Sequence, residues 1–172
     1  MSRLSSMSPS AVKALFTPDS SDTVLFLVTF YDADSGSALA RLTTGFTKRI
    51  YESNDEVLYG VTSRGNDFTF MPIEISPPSE NDNTAPSFSI TMNDVSQYIV
   101  PIIRQLGKPP RVLLEVVLAS TPDVIEASFD EFYVTNFTYD AQKVVANMEM
   151  TDYSVEPFPC YTFTPAFFPG LF

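Results

Sequence analysis

The eight residues VLFLVTFY, positions 24–31, carry no charge and mix branched aliphatic with aromatic side chains. Residues of this kind fit the pleated surface of a sheet, and the polar DADSG that follows at 32–36 supplies a turn. The stretch reads as a strand running into a turn, and much of the chain repeats that pattern. Leu39–Thr44 is a second strand, and Asp67–Ile75 a third, entered through the turn Arg64-Gly65-Asn66. Phe88, Ile90 and Met92 alternate with Ser89 and Thr91, the period of a strand buried on one face. Arg111–Ala119, a stretch near Phe129–Tyr139, and Lys143–Thr151 are further strands; a tight turn at Asp140-Ala141-Gln142 joins the last two.

Two helices interrupt the strands. Ser8 caps a short one and Pro9 suits its first position; Val12, Leu15 and Phe16 fall on one face, and Thr17-Pro18 ends it. The longer one covers 94–106. Asp94 stands three residues before Gln97, a capping-box spacing, and Val95, Ile99, Ile102, Ile103 and Leu106 share a face. Gly107 and Pro109-Pro110 stop it, and Pro101 kinks it. PPSENDNTAP at 77–86 is a polar, acidic loop. The expected organisation is a helical lead-in at 1–22, a β-rich domain at 23–155 and an arm at 156–172.

That arm reads PFPCYTFTPAFFPGLF from Pro157 to Phe172. Its prolines forbid a helix, and a membrane span needs about 20 apolar residues with every backbone bond satisfied internally. Its aromatics are unlike a disordered tail. An extended segment that buries itself against its own domain or a neighbouring chain remains, with Phe158, Phe163, Phe167, Phe168, Leu171 and Phe172 as candidate interface anchors.

The 172 residues suit one domain with a sizeable core. Ten Lys and Arg against 21 Asp and Glu give a net charge of −11, which opposes a phosphate-gripping surface and sequence-specific nucleic-acid binding. The same charge suits a surface that DNA passes without sticking. No signal peptide opens the sequence and no apolar run reaches span length, so membrane insertion is not expected. The single cysteine, Cys160, excludes an internal disulfide and fits folding in a reducing cytoplasm. Asn136-Phe137-Thr138 is formally a glycosylation sequon and reads as a strand fragment.

The chain contains no histidine, which removes the usual general base, the usual zinc ligands and every Ser-His or Cys-His pair. Asp130 and Glu131 are adjacent on a strand and point to opposite faces, so they cannot flank one sugar. Glu80 and Asp82 lack the spacing of a calcium loop, and no glycine-rich phosphate loop exists. The expectation is a protein that is no enzyme, with no catalytic residues, metal or cofactor. Its distinctive feature points to assembly.

Glu156–Phe172, EPFPxxxFTPxxFPGLF, resembles the ending of a family of small tail proteins in long-tailed, siphovirus-type bacteriophages. Thr62-Ser63-Arg64-Gly65 followed by Phe68-Thr69-Phe70, Phe88-Ser89-Ile90 with Asn93, the run Pro109–Ser120, Pro122-Asp123 and Tyr139-Asp140-Ala141 occur in the same order. The resemblance implies a structural component of the virion's tail tip, made in the host cytoplasm. By analogy with distal tail proteins it implies a ring of identical chains, hexameric in the family, that joins the tail tube protein to the tip hub protein near the tape measure protein. It also implies a β-sandwich or barrel of tail-tube-like type with one flanking helix. Physically, a ring repeats one heterologous contact, and proline-stiffened aromatic arms make such contacts at small entropic cost. Acids on turns and loops, Asp32, Asp34, Glu52, Asp55, Glu56, Glu80 and Asp82, are candidates to face the lumen. The alternative is a receptor- or carbohydrate-binding module of the tail tip, which requires an exposed aromatic platform and polar groups at loop tips. A lytic enzyme is a third reading, opposed by the missing histidine.

Overall fold

The computed structural model describes residues 7–17, 22–52, 57–76, 87–93, 101, 108–140 and 143–150. Within them the protein is mainly β, with one helix, α1 (Pro9–Phe16), and ten strands in a mixed sheet. The strands are β1 (Val24–Tyr31), β2 (Ala38–Thr43), β3 (Lys48–Glu52), β4 (Val57–Ser63), β5 (Asn66–Phe70), β6 (Ile73–Ser76), β7 (Ser87–Met92), β8 (Arg111–Leu118), β9 (Ile125–Tyr139) and β10 (Val144–Met150). Their order across the sheet is β3-β4-β5-β2-β1-β8-β9-β10-β7-β6. All neighbours are antiparallel except β2 and β5, where Leu42 faces Thr69 and Thr43 faces Phe70 in parallel.

The uncharged character of VLFLVTFY has a direct cause. β1 is paired along its whole length with β8, from Val24–Leu118 to Tyr31–Arg111, and on its other edge with β2. Both of its faces are covered. Val28 and Phe30 enter a large core with Leu42, Val112, Phe132 and Ala146, whereas Leu25 and Leu27 enter a second core with Val61, Phe68 and Val117. A strand buried on both faces cannot alternate apolar with polar residues. The second core exists because the β4–β5 hairpin lies over the outer face of β1 and β8.

The sheet is strongly curved, and the joint between β5 and β6 requires it. Seven ladder steps separate these strands in the order above, about 34 Å if the sheet were flat. Only Met71 and Pro72 connect them, a link that reaches about 11 Å at most. The backbone polar groups of the joint bond to two different strands: Met71 N–H donates to the Thr43 carbonyl at the end of β2, and the Pro72 carbonyl accepts from Asn93 N–H just after β7. Residues 66–76 thus bond to β2 at one end and to the end of β7 at the other, strands five steps apart in the sheet. Proline explains the break in what the sequence suggested was one strand, since Pro72 has no N–H to give.

Several expectations need correction. α1 begins as read, with the Ser8 hydroxyl accepting from Ala11 N–H and Pro9 in its first turn. Its inward face is different: Ala11 is buried and Phe16 is exposed. The reason is a tether, because Ser8 donates through its N–H and its hydroxyl to the two oxygens of buried Glu126, each at 2.7 Å. That contact fixes the helix's rotation independently of its apolar stripe. Strands β3 and β4 did not emerge from the sequence, because all four residues flanking Ile50 in β3 and the N-terminal end of β4 face solvent and break the alternation. Of the longer helix expected over 94–106 only Pro101, helical and exposed, lies within the described residues; the loop at 77–86 lies outside them, and no long helix is seen among them.

Candidate interaction surfaces

At the tip of the β4–β5 hairpin, Arg64 and Gly65 both take positive φ, 49° and 77°, as a two-residue hairpin turn of the primed type demands. Arg64 then reaches across to β8. Its guanidinium donates to both carboxylate oxygens of buried Glu115, one at 2.9 Å, and the Glu115 partnership holds the Arg64 pKa above its ordinary value. Arg64 N–H donates to Asp123 at 2.6 Å, and the neighbouring Ser63 hydroxyl donates to the Pro122 carbonyl at 2.7 Å. This set of contacts is a latch that seats the hairpin over the second core.

The first exposed surface lies at the β3 margin. Among the described residues β3 pairs with β4 alone, on one of its two edges. Phe46, 56% exposed, packs at 5.1 Å edge-on to Phe70 and at 5.4 Å to Tyr59, which is 43% exposed. Tyr51 and Val57 are also exposed there. Rings of this size contribute on the order of 2 kcal/mol each when covered.

The second surface is the outer face of β1, β8, β9, β10 and β7. The ladder register places Tyr31, Arg111, Tyr133, Glu149 and Ser87 side by side, one from each strand. Asn136, Asn147 and Ser89 form a parallel row two positions along β10 and β7. The alternation of buried Phe88, Phe132 and Met148 with these residues turns them outward. The Arg111 guanidinium carbon stands 5.9 Å from the Tyr31 ring centroid, a cation–π geometry. Beside it the β1–β2 turn is held by Asp32, whose carboxyl lies below the usual range because the Ser35 hydroxyl and the Asp34 and Ser35 amides donate to it.

Every anchor expected in the arm, Phe158, Phe163, Phe167, Phe168, Leu171 and Phe172, lies outside the described residues, as do Cys160, Asp55, Glu56, Glu80 and Asp82. Of the other acids proposed for a lumen, Asp34 and Glu52 are exposed, and each has a cation beside it: Lys108 pairs with Asp34, and Arg49 with Glu52 at 2.6 Å. Asp130 is exposed on β9. Among the described residues no group of three or more His, Cys, Asp or Glu is arranged to hold a metal ion. No helix of the described residues is long and apolar enough to cross a membrane. The aromatic cluster at Phe46 and the Tyr–Arg–Tyr–Glu row were not read from the sequence. The row could be found only once the strand register was known, since its members come from five separate segments.

Residues 13–163 match a family described as a domain of unknown function, DUF1833. The chain belongs to DUF1833. No curated protein matches it. The DUF1833 match takes in all ten strands, the latch and both exposed surfaces, and stops within the aromatic arm.

Proposed function

We propose that this chain is a structural tail protein of a long-tailed bacteriophage, of distal tail type, whose copies form a ring joining the tail tube to the tip hub around a passage for DNA. The observation that carries the reading is the β3 margin, where a strand edge with no partner among the described residues and the exposed Phe46–Tyr59 cluster lie together. An open edge with apolar cover needs an occupant, because unprotected edges template unwanted pairing. A second copy supplies that occupant in a closed ring, with the aromatic arm as its contact element. The terminal motif EPFPxxxFTPxxFPGLF and its resemblance to phage tail proteins support the same reading.

The curvature of the sheet supports a rolled, barrel-like body of tail-tube type. Residues 66–76 hydrogen-bond to β2 through Met71 and to the end of β7 through Pro72, bridging two strands five steps apart as a strand that closes a barrel does. A net charge of −11 fits a conduit that does not hold phosphates. The neighbours in this reading are the tail tube protein, the tip hub protein and the tape measure protein, and the location is the virion's tail tip.

Mass photometry and negative-stain microscopy of the purified chain, with cryo-EM of intact tails, test this. The expected result is a closed ring of identical chains that matches density at the tail tip. A chain that stays monomeric at tens of micromolar and is absent from purified tails overturns it.

A further inference from the structure

The outer row Tyr31–Arg111–Tyr133–Glu149–Ser87 plays no part in the latch, the cores or the β3 margin. Five strands at their usual spacing make it roughly 19 Å long. Clefts lie at both ends of it. One of about 330 Å³ is lined by Tyr31, Asp32, Gly36, Arg111 and Tyr133, and one of about 450 Å³ by Ser89, Asn136, Asn147 and Glu149. Tyr133, which lines the first cleft, and Glu149, which lines the second, are ladder partners, so the two clefts adjoin along the row as a shallow trough.

The chemistry of the trough selects among ligands. Tyr133 is 38% exposed and presents an aromatic ring to solvent beside Arg111, with half-buried Tyr31 on the other side. Asn136, Asn147 and Glu149 are exposed and offer amide donors and acceptors and a carboxylate within the second cleft. Glu149 and Ser87 in the row disfavour a protein partner, because glutamate and serine are depleted from protein interfaces. An anionic ligand meets Glu149 in the row and Asp32 at the lip, on a chain of net charge −11. Pyranose sugars combine an apolar C–H face, which stacks on aromatic rings, with vicinal hydroxyls that pair with amides, carboxylates and guanidinium groups.

We propose that this trough binds a neutral oligosaccharide, with Tyr133 and Tyr31 as stacking rings and Arg111, Glu149, Asn147 and Asn136 as hydroxyl-binding groups. The site lies on a sheet face, where a loop-tip position was expected for such a module. The inference rests on the strand register and side-chain chemistry alone, so it stands or falls separately from ring formation.

The test is a glycan array carrying neutral hexose and N-acetylhexosamine oligomers beside sulfated, phosphorylated and sialylated ones, probed with the full chain. Titration calorimetry with the strongest neutral hit follows. Binding to neutral oligomers is expected, weakened at least tenfold by Tyr133→Ala and by Asn147→Ala. Both positions are exposed, and circular dichroism with thermal melting should report an unchanged fold. Thr138→Ala, on β9 outside both clefts, should bind as the parent does. Absence of binding to every neutral oligomer overturns the proposal. So does binding confined to the acidic glycans, or neutral binding that both trough variants leave intact.

Discussion

Arg64 combines two costs and one compensation. A non-glycine residue in the left-handed region costs on the order of 1 kcal/mol, and burying the Glu115 carboxylate costs more unless it is paired. The bidentate contact between them offsets both. Arg64→Met should therefore destabilise the chain by about 2–3 kcal/mol in urea denaturation, because Glu115 is left buried without its cation. The double variant Arg64→Met with Glu115→Met should lose less than the single one. A double variant as unstable as the sum of the two singles would show that the groups do not act as a pair. None of this was visible in the sequence beyond the turn itself. Arg64-Gly65 announced a turn, but the partner of Arg64 stands 51 residues away on a strand that is otherwise apolar apart from Arg111. Asp32 makes a pH prediction. Its folded carboxyl titrates below the ordinary aspartate value because Ser35 donates to it. Its contribution to the turn is complete above the ordinary value and is lost as pH falls through the depressed one. The Ser35 and Gly36 amide resonances should shift only in that acid window, and Asp32→Asn should abolish the shift.

Among the elements, the β3–β4–β5 hairpins are the part least legible beforehand and the most exacting in packing. Gly60 on β4 faces Phe68, where an added Cβ would come within 1.9 Å of the Phe68 carbonyl oxygen and 2.4 Å of Ile50 Cδ1. Ile50 can rotate away, but a backbone oxygen inside a ladder cannot. Gly60→Ala should cost about 3 kcal/mol and loosen the hairpin selectively, seen as faster amide exchange in β4 and β5 than in β8. Exchange that rises equally in all strands would mean the hairpin does not open on its own. The strands read correctly, such as β1 and β8, had long apolar runs bounded by turn residues. β3 failed that test because it is an edge strand: KRIYE has one inward residue, and its identity as a strand comes from its partner. α1 was legible in its cap and not in its face, since the tether through Glu126 is a contact over 118 residues.

For the whole molecule, the mainly β character and most strand positions followed from composition and period. The curvature did not, because it depends on which strands meet at Met71 and Pro72. The assembly reading also makes its prediction at this scale. A chain truncated after Tyr161 retains all ten strands, so its circular dichroism should match the parent. It should fail to enter the tail, leaving particles stalled at the tip. Replacing Phe46 and Tyr59 together with serine should give the same stalled particles with the sheet intact. Infectious virions from either variant would remove that segment from the assembly contact.

The pairing of β1 with β8 also sets a clock. Tyr31 cannot meet Arg111, nor Val24 meet Leu118, until both strands have left the ribosome. At common elongation rates the roughly eighty residues between them take on the order of ten seconds to make. Throughout that interval VLFLVTFY, apolar on both faces, has one edge with nothing to pair with. The nascent chain is then a ready target for holdase chaperones, and ribosome-bound fragments ending before residue 111 should be captured by them more strongly than fragments ending after 150.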